Sequence, residues 1–230
     1  MKNIELSPRL KTIADMVRRG VRVADVGTDH AFLPLYLVTK GIATFATASD
    51  INEGPIKNAQ NNVKAHQCED VIKLIQCAGL DDVDGTQVDD VIIAGMGGEL
   101  ISEIINNAKW LKNTDKHLLL QPMTRVNELR KYLCDNGFDI VEEKIACEGE
   151  RLYTIISSNY VGKQIEYDEV FLHVGKVVSN NNEASKRYIL NQASVIKKIA
   201  EGMEKSDDMK EKSVKYYDLS NQILLMLEGN

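Results

Sequence analysis

Asp25, Thr28, Asp29 and His30 gather around Gly27 in the stretch VADVGTDHAFLP, at the end of a short apolar run. A run that ends in glycine brings the backbone close to a ligand, because no Cβ stands in the way. A dinucleotide-binding turn would carry two further glycines, but Asp29 and Ala31 take their places. A carboxylate where the next helix begins repels a pyrophosphate and suits a cation. The loop predicts a ligand that lacks phosphates and carries positive charge.

Three more loops extend this site. Asp50 follows Gly27 by 23 residues, close to the ~20-residue offset of an acid that binds ribose hydroxyls. Ile51 stands beside it, and a helix N-cap is the plain alternative for Asp50. Ala78-Gly79 ends a third apolar run. Gly95, Gly97 and Gly98 surround Met96 after a fourth, where open α/β sheets bind ligands at their carboxyl edge. Asn58 and Asn62 are expected to face one way and brace the first loop. Cys68, Cys77, Cys134 and Cys147 are too widely spaced for a zinc site, and no His pair has ligand spacing, so reduced thiols and no metal are expected.

The elements that position these loops alternate. Strands are predicted at Arg22–Val26, Phe45–Asp50, Val71–Gln76, Asp90–Ala94, His117–Gln121, Asp139–Cys147 and Leu152–Ser157. Helices fall between them at roughly Ala31–Lys40, Pro55–Ala65, Glu99–Leu111 and Arg125–Asn136, after a first helix from Ser7 to Arg19. Only Glu148-Gly149-Glu150 separates the last two strands, so they must form a hairpin. The fold class is α/β, Rossmann-like, a seven-stranded sheet with one closing antiparallel strand. Residues 1–160 form this domain. Residues 161–230 are expected to be a helical extension, with a linker over Asn159–Asp168. One helix there carries Ile189, Ala193, Ile196, Ile199 and Met203 on its packing face, and the other Val214, Tyr217, Leu224 and Leu227. Together they read as a coiled-coil-like packing appendage.

A chain with 43% apolar and 27% charged residues is not disordered. No apolar run approaches the ~20 residues that span a bilayer, so no membrane partner and a cytoplasmic address are expected. A net charge of -6 argues against a general nucleic-acid coat and against DNA. Residues 1–22 nevertheless carry six basic residues against two acids, Lys2 and Lys11 among them. Arg9, Arg18, Arg19 and Arg22 are expected to contact phosphates, joined by Lys186, Arg187, Lys197 and Lys198. A solvated helix face is the competing reading.

Taken in order, Arg9-Leu10, VADVGTDHAFLP, ASDINEGP, IIAGMGG, LLLQP and LRKYLCDNGF resemble the bacterial tRNA (adenine-N1)-methyltransferase family TrmK, which modifies adenosine 22 in the D-arm. The similarity runs from Arg9 to Ser158 and continues more loosely through the tail. It implies a class I methyltransferase fold, S-adenosyl-L-methionine (AdoMet) as donor and tRNA as acceptor. AdoMet has no phosphates and carries an ammonium and a sulfonium, as the first loop requires. The resemblance places Asp25, Gly27, Thr28, Asp29 and His30 around its methionine part, and Asp50 and Ile51 at the ribose. Ala78 and Gly79 would line the adenine pocket, with Gly95, Met96 and Gly97 near the reactive methyl. Cys77-Ala78 departs from the family, which often has a glycine and a polar residue there.

On the acceptor side, Asp29 is expected to stabilise the charge that develops on the base, with His30 or Glu99 at the exocyclic amine. Phe32, Tyr36 and Met96 are candidate platforms for a flipped base, Pro34 and Pro122 its walls, and Gln121 a reader of its edge. A nicotinamide oxidoreductase is disfavoured by Asp29 and the closing hairpin. A methyltransferase with another acceptor and a silent RNA-binding scaffold are the rival readings.

Overall fold

The computed structural model describes residues 4–177 and 182–227, so Lys2 lies outside the described residues. In chain order the elements are α1 (Pro8–Met16), β1 (Val21–Val26), α2 (Phe32–Thr39), β2 (Ala43–Asp50), α3 (Glu53–Ala65), β3 (Ile72–Gln76), β4 (Asp90–Gly97) and α4 (Gly98–Asn107). They continue with β5 (His117–Thr124), α5 (Val126–Asp135), β6 (Phe138–Glu148), β7 (Arg151–Tyr160), α6 (Glu169–Val174), α7 (Glu183–Met203) and α8 (Lys210–Leu225).

One sheet takes all seven strands in the order β3-β2-β1-β4-β5-β7-β6. β1 to β5 pair in parallel, and β7 is antiparallel to both of its neighbours. The inner strands are apolar on both faces because helices cover both. Ile92 points toward α1, α2 and α3, while Val91 and Ile93 point toward α4 and α5. Ser7 caps α1 by accepting from the Leu10 amide, and Pro8 in the first turn gives up no helical hydrogen bond.

The expected strands and hairpin are present, with shifted ends. β5 runs on through Pro122 to Thr124. Its pairing with β7 stops at Leu120, so the proline breaks no bond on that side. Gly149-Glu150 turns the hairpin, whose tip lies at the carboxyl edge of the parallel strands, where the Glu148 carboxylate accepts from the Arg9 amide at 2.9 Å.

The tail is joined to the core more tightly than a linker implies. β7 takes the first two residues of the expected linker, and α6 is an additional helix. Arg130 on α5 and Glu143 on β6 form a fully buried ion pair at 2.7 Å. The guanidinium also donates to the Leu172 carbonyl at 2.9 Å and the Tyr188 hydroxyl at 3.1 Å, fastening α6 and α7.

α7 and α8 form the expected antiparallel pair, but a different face of α8 is inward. Ser213, Ser220 and Ile223 are buried, whereas Val214 and Leu224 are exposed. The Ser213 hydroxyl donates to the Ala200 carbonyl at 3.0 Å and that of Ser220 to Ala193 at 2.9 Å. The hydroxyl bonds stand beside an apolar contact in which Ile189 and Ile196 of α7 share one cluster with Ile223 of α8, with Leu219 packed against it. On α7, Ala200 is buried and Ile199 exposed.

Candidate active site

Two cavities adjoin at the carboxyl edge of the sheet. The first, about 200 Å³, is lined by Asp50, Ile51, Ala78, Gly79 and Met96, with Leu100, Glu103, Ile104 and Asn107 of α4 on its far wall. The second, about 330 Å³, is lined by Arg9, Asp25, Thr28, Asp29, His30 and Phe32, with Ala94 and Gly95. Val26 and Gly27 belong to both. A larger cleft of about 780 Å³ between α6 and α8 contains none of the predicted residues and is rimmed by charges such as Glu211, Lys212 and Lys215.

Gly27 forms the seam between the two cavities. Its φ is +78°, and a Cβ there would lie 2.3 Å from the Met96 methyl carbon. The Gly27 and Thr28 amides both donate to the Ser49 carbonyl, at 2.8 and 2.9 Å, which ties the loop to the end of β2. Asn62 donates to the His30 carbonyl at 3.0 Å and so braces the loop as expected; Asn58 is exposed. Ala31, at φ +55° and fully buried, holds the left-handed conformation that the missing glycine would have adopted freely.

The second cavity holds most of the charge. Asp25 is 7% exposed, and burial pushes its carboxyl up to about 6, partly offset by a hydrogen bond from Thr28. Asp29 lies 3.2 Å from His30, whose ring stacks on Phe32 with centroids 5.2 Å apart. In the first cavity, Asp50 accepts from the Asn52 amide at 2.7 Å, and Asn52 itself stands at the N-cap of α3. Asp50 is therefore not the cap.

Several acceptor-side expectations are corrected. Gln121 is fully buried: its Oε1 accepts from Arg9 at 2.6 Å and from the Gly95 amide at 3.1 Å, and its Nε2 donates to the Pro122 carbonyl at 2.9 Å. With both amide atoms engaged, it has nothing to offer a base edge. Tyr36 lies under the Lys11 and Lys40 ammonium groups, each 5.9 Å from the ring centroid, and lines neither cavity. Pro34 and Pro122 line neither. Glu99 is exposed and pairs with Arg125 at 3.4 Å.

The predicted arginine patch is divided between the two ends of the sheet. Arg9 lines the second cavity, but Arg18 and Arg22 sit at the amino edge, one strand length or about 20 Å away. There Arg18 pairs with buried Asp90 at 2.6 Å and Arg22 with Asp89 at 2.8 Å. Arg19 is exposed beside Arg18. On the tail, Arg187 reaches Glu150 at the hairpin tip at 3.3 Å, while Lys186, Lys197 and Lys198 are exposed.

The wall from α4 is absent from the sequence reading. Leu100, Glu103, Ile104 and Asn107 follow the i, i+3, i+4, i+7 spacing of one helix face, the signal that locates them once the glycine turn is known to precede a helix.

A family model described as a methyltransferase domain matches residues 6–156. The tRNA (adenine(22)-N(1))-methyltransferase of Bacillus subtilis strain 168 is 32% identical over 178 residues, 77% of this chain and 75% of that protein. The chain belongs to this methyltransferase family. A Streptococcus pneumoniae protein solved with S-adenosyl-L-methionine is 31% identical, with a TM-score of 0.80 over 96% of this chain and 100% of its own. Mycoplasma capricolum TrmK, solved with S-adenosyl-homocysteine, is 28% identical, with a TM-score of 0.76 over 97% of this chain and 96% of its own. Both alignments extend through the helical tail of this methyltransferase, and the Rossmann-like fold with its closing antiparallel strand is the one the resemblance implied.

Proposed function

We propose that the chain transfers a methyl group from AdoMet to N1 of adenosine 22 in tRNA, and that its two cavities share the work. The observation that carries this reading is the Gly27 seam. A mostly apolar cavity with one ribose-binding candidate, Asp50, meets a charged cavity across a residue too small to separate them. An adenosine suits the first, and a charged amino-acid end the second. No group of three or more His, Cys, Asp or Glu among the described residues is placed to hold a metal. When bound, AdoMet supplies an electrophilic methyl on a positively charged sulfur.

The chain itself supplies position and charge. N1 of adenine has its own lone pair, so the site has to align the base rather than deprotonate it. The His30–Phe32 stack, with Phe32 44% exposed, presents an aromatic wall against which a flipped base can lie. The Asp29 carboxylate at the mouth of the same cavity offsets the positive charge of the methylated base. A tRNA acceptor places the enzyme's work in the cytoplasm. No helix among the described residues is long and apolar enough to cross a membrane.

The test is incubation with unmodified tRNA and labelled AdoMet, followed by nucleoside analysis. The expected product is 1-methyladenosine, lost when adenosine 22 is replaced by guanosine. Label in another nucleoside, or none in RNA, overturns the reading. In the same assay at saturating donor and tRNA, Asp29→Ala is expected to slow single turnover about tenfold or more; an unchanged rate removes Asp29 from the reaction.

A further inference from the structure

We propose that Met123 touches the acceptor base, its thioether forming a second wall opposite the His30–Phe32 stack. This deepens the acceptor reading above and rests on it. Up to the end of β7, large apolar side chains among the described residues are exposed at Phe32, Ile51, Leu100, Met123 and Val141. Phe32, Ile51 and Leu100 line the two cavities, and Val141 lies on β6 at the edge of the sheet. Met123 remains. It stands at the carboxyl edge and lines neither cavity, so a donor in the two cavities leaves it uncovered.

The exposure of Met123 has a local cause. Pairing of β5 with β7 stops at Leu120, so Gln121 to Thr124 project beyond the neighbouring strand. The sulfur is nevertheless held, because Nε2 of buried Gln121 donates to Sδ at 3.5 Å. Through its Oε1 the same Gln121 holds Arg9 and the Gly95 amide, which places the thioether within two contacts of the charged cavity. A side chain anchored in this way gives up less freedom when a ligand packs on it.

The layout of the edge identifies that ligand. The loops after β1, β2 and β3 form most of the two cavities, so the acceptor has to reach the methyl over the ends of β4 and β5. β1 and β5 flank β4, and at about 4.8 Å per strand the ends from which the two walls rise are about 10 Å apart. That gap admits one planar base in contact on both faces at about 3.5–4 Å. Between the walls Gly95 is exposed and adds no side chain. A phosphate fits less well beside Met123, because Arg125, two residues on, is already paired with Glu99 at 3.4 Å and Glu128 at 2.7 Å. A polarizable thioether suits the π face of a base.

Binding of two tRNAs at saturating S-adenosylhomocysteine tests this, one carrying adenosine 22 and one lacking the base at that position. Met123→Ala is expected to weaken the intact tRNA about 3- to 10-fold and the abasic tRNA by less than about twofold. S-adenosylhomocysteine affinity, read by calorimetry, should not change. Met123→Leu, close in volume, should recover most of the loss. A merely structural role would weaken both tRNAs alike. Equal weakening of the two, unchanged affinity for the intact tRNA, or a loss confined to S-adenosylhomocysteine overturns the proposal. If the wild-type protein does not methylate the intact tRNA at N1 of adenosine 22, the acceptor reading itself fails and takes the proposal with it.

Discussion

In the free protein the Asp25 carboxyl titrates near 6, against 3.8 for an unburied aspartate, because burial penalises its charged form. Between those two values the native state holds a proton that the unfolded chain has released. Stability therefore falls as pH rises from about 4 to 6 and levels off above, by up to about 3 kcal/mol. Asp25→Asn should raise the urea midpoint at pH 7.5 and leave it nearly unchanged at pH 4. An ammonium beside Asp25 favours the ionised form, so donor affinity should rise with pH up to about 6 and then flatten. Calorimetry at pH 5, 6 and 7.5 reads this directly, and a flat profile would mean that Asp25 does not face the ligand's charge. Gly27, Asp50 and Gly79 are legible in the sequence because each answers a local demand of a loop. The contacts of Gln121 are not: the residue stands out at the end of its strand, but its partners Arg9 and Gly95 lie 112 and 26 residues away, and spacing along the chain carries no sign of which side chains meet across a sheet edge.

At the scale of elements, the strand and helix alternation is legible because buried parallel strands are apolar runs and their crossovers are amphipathic. The attachment of the tail is not. Arg130 and Glu143 look like ordinary surface charges in their segments, yet both are fully buried and hold α6 and α7 to the core. Isolating a charge in a protein interior costs far more than removing a matched pair. Arg130→Met, which takes away the buried cation that faces the Glu143 carboxylate, should destabilise the protein by about 3–5 kcal/mol and speed hydrogen exchange over residues 169–174. The double variant Arg130→Met/Glu143→Leu should recover much of the stability. A single variant with an unchanged urea midpoint and unchanged exchange would show that the apolar contacts of Ile145, Tyr188 and Ile189 alone hold the tail.

Across the whole molecule, the two ends of the sheet do different work. At the amino edge, Asp90 is fully buried among Arg18, the Arg18 amide and His117, whose other ring nitrogen lies 2.7 Å from the Ser157 hydroxyl. Ser157, His117 and Asp90 line up like a nucleophile, a base and an acid. All three are nearly inaccessible, and they line neither active-site cavity, so the arrangement reads as support for Arg18. Arg18→Gln should cost about 1–3 kcal/mol and lower Tm by several degrees, with the salt dependence of tRNA binding unchanged. A flattened salt slope would return Arg18 to the RNA surface.

The position of β7 also governs the order in which the molecule can be assembled. β6 is made before β7, yet β7 ends up between β6 and β5, antiparallel to both. Until β7 emerges, β5, α5 and β6 have the makings of an ordinary parallel crossover unit, with β6 able to occupy the place its successor will need. A nascent chain that pairs early must open that seam again to admit β7. The strand that closes the sheet is therefore also the last one that can commit it to the native order.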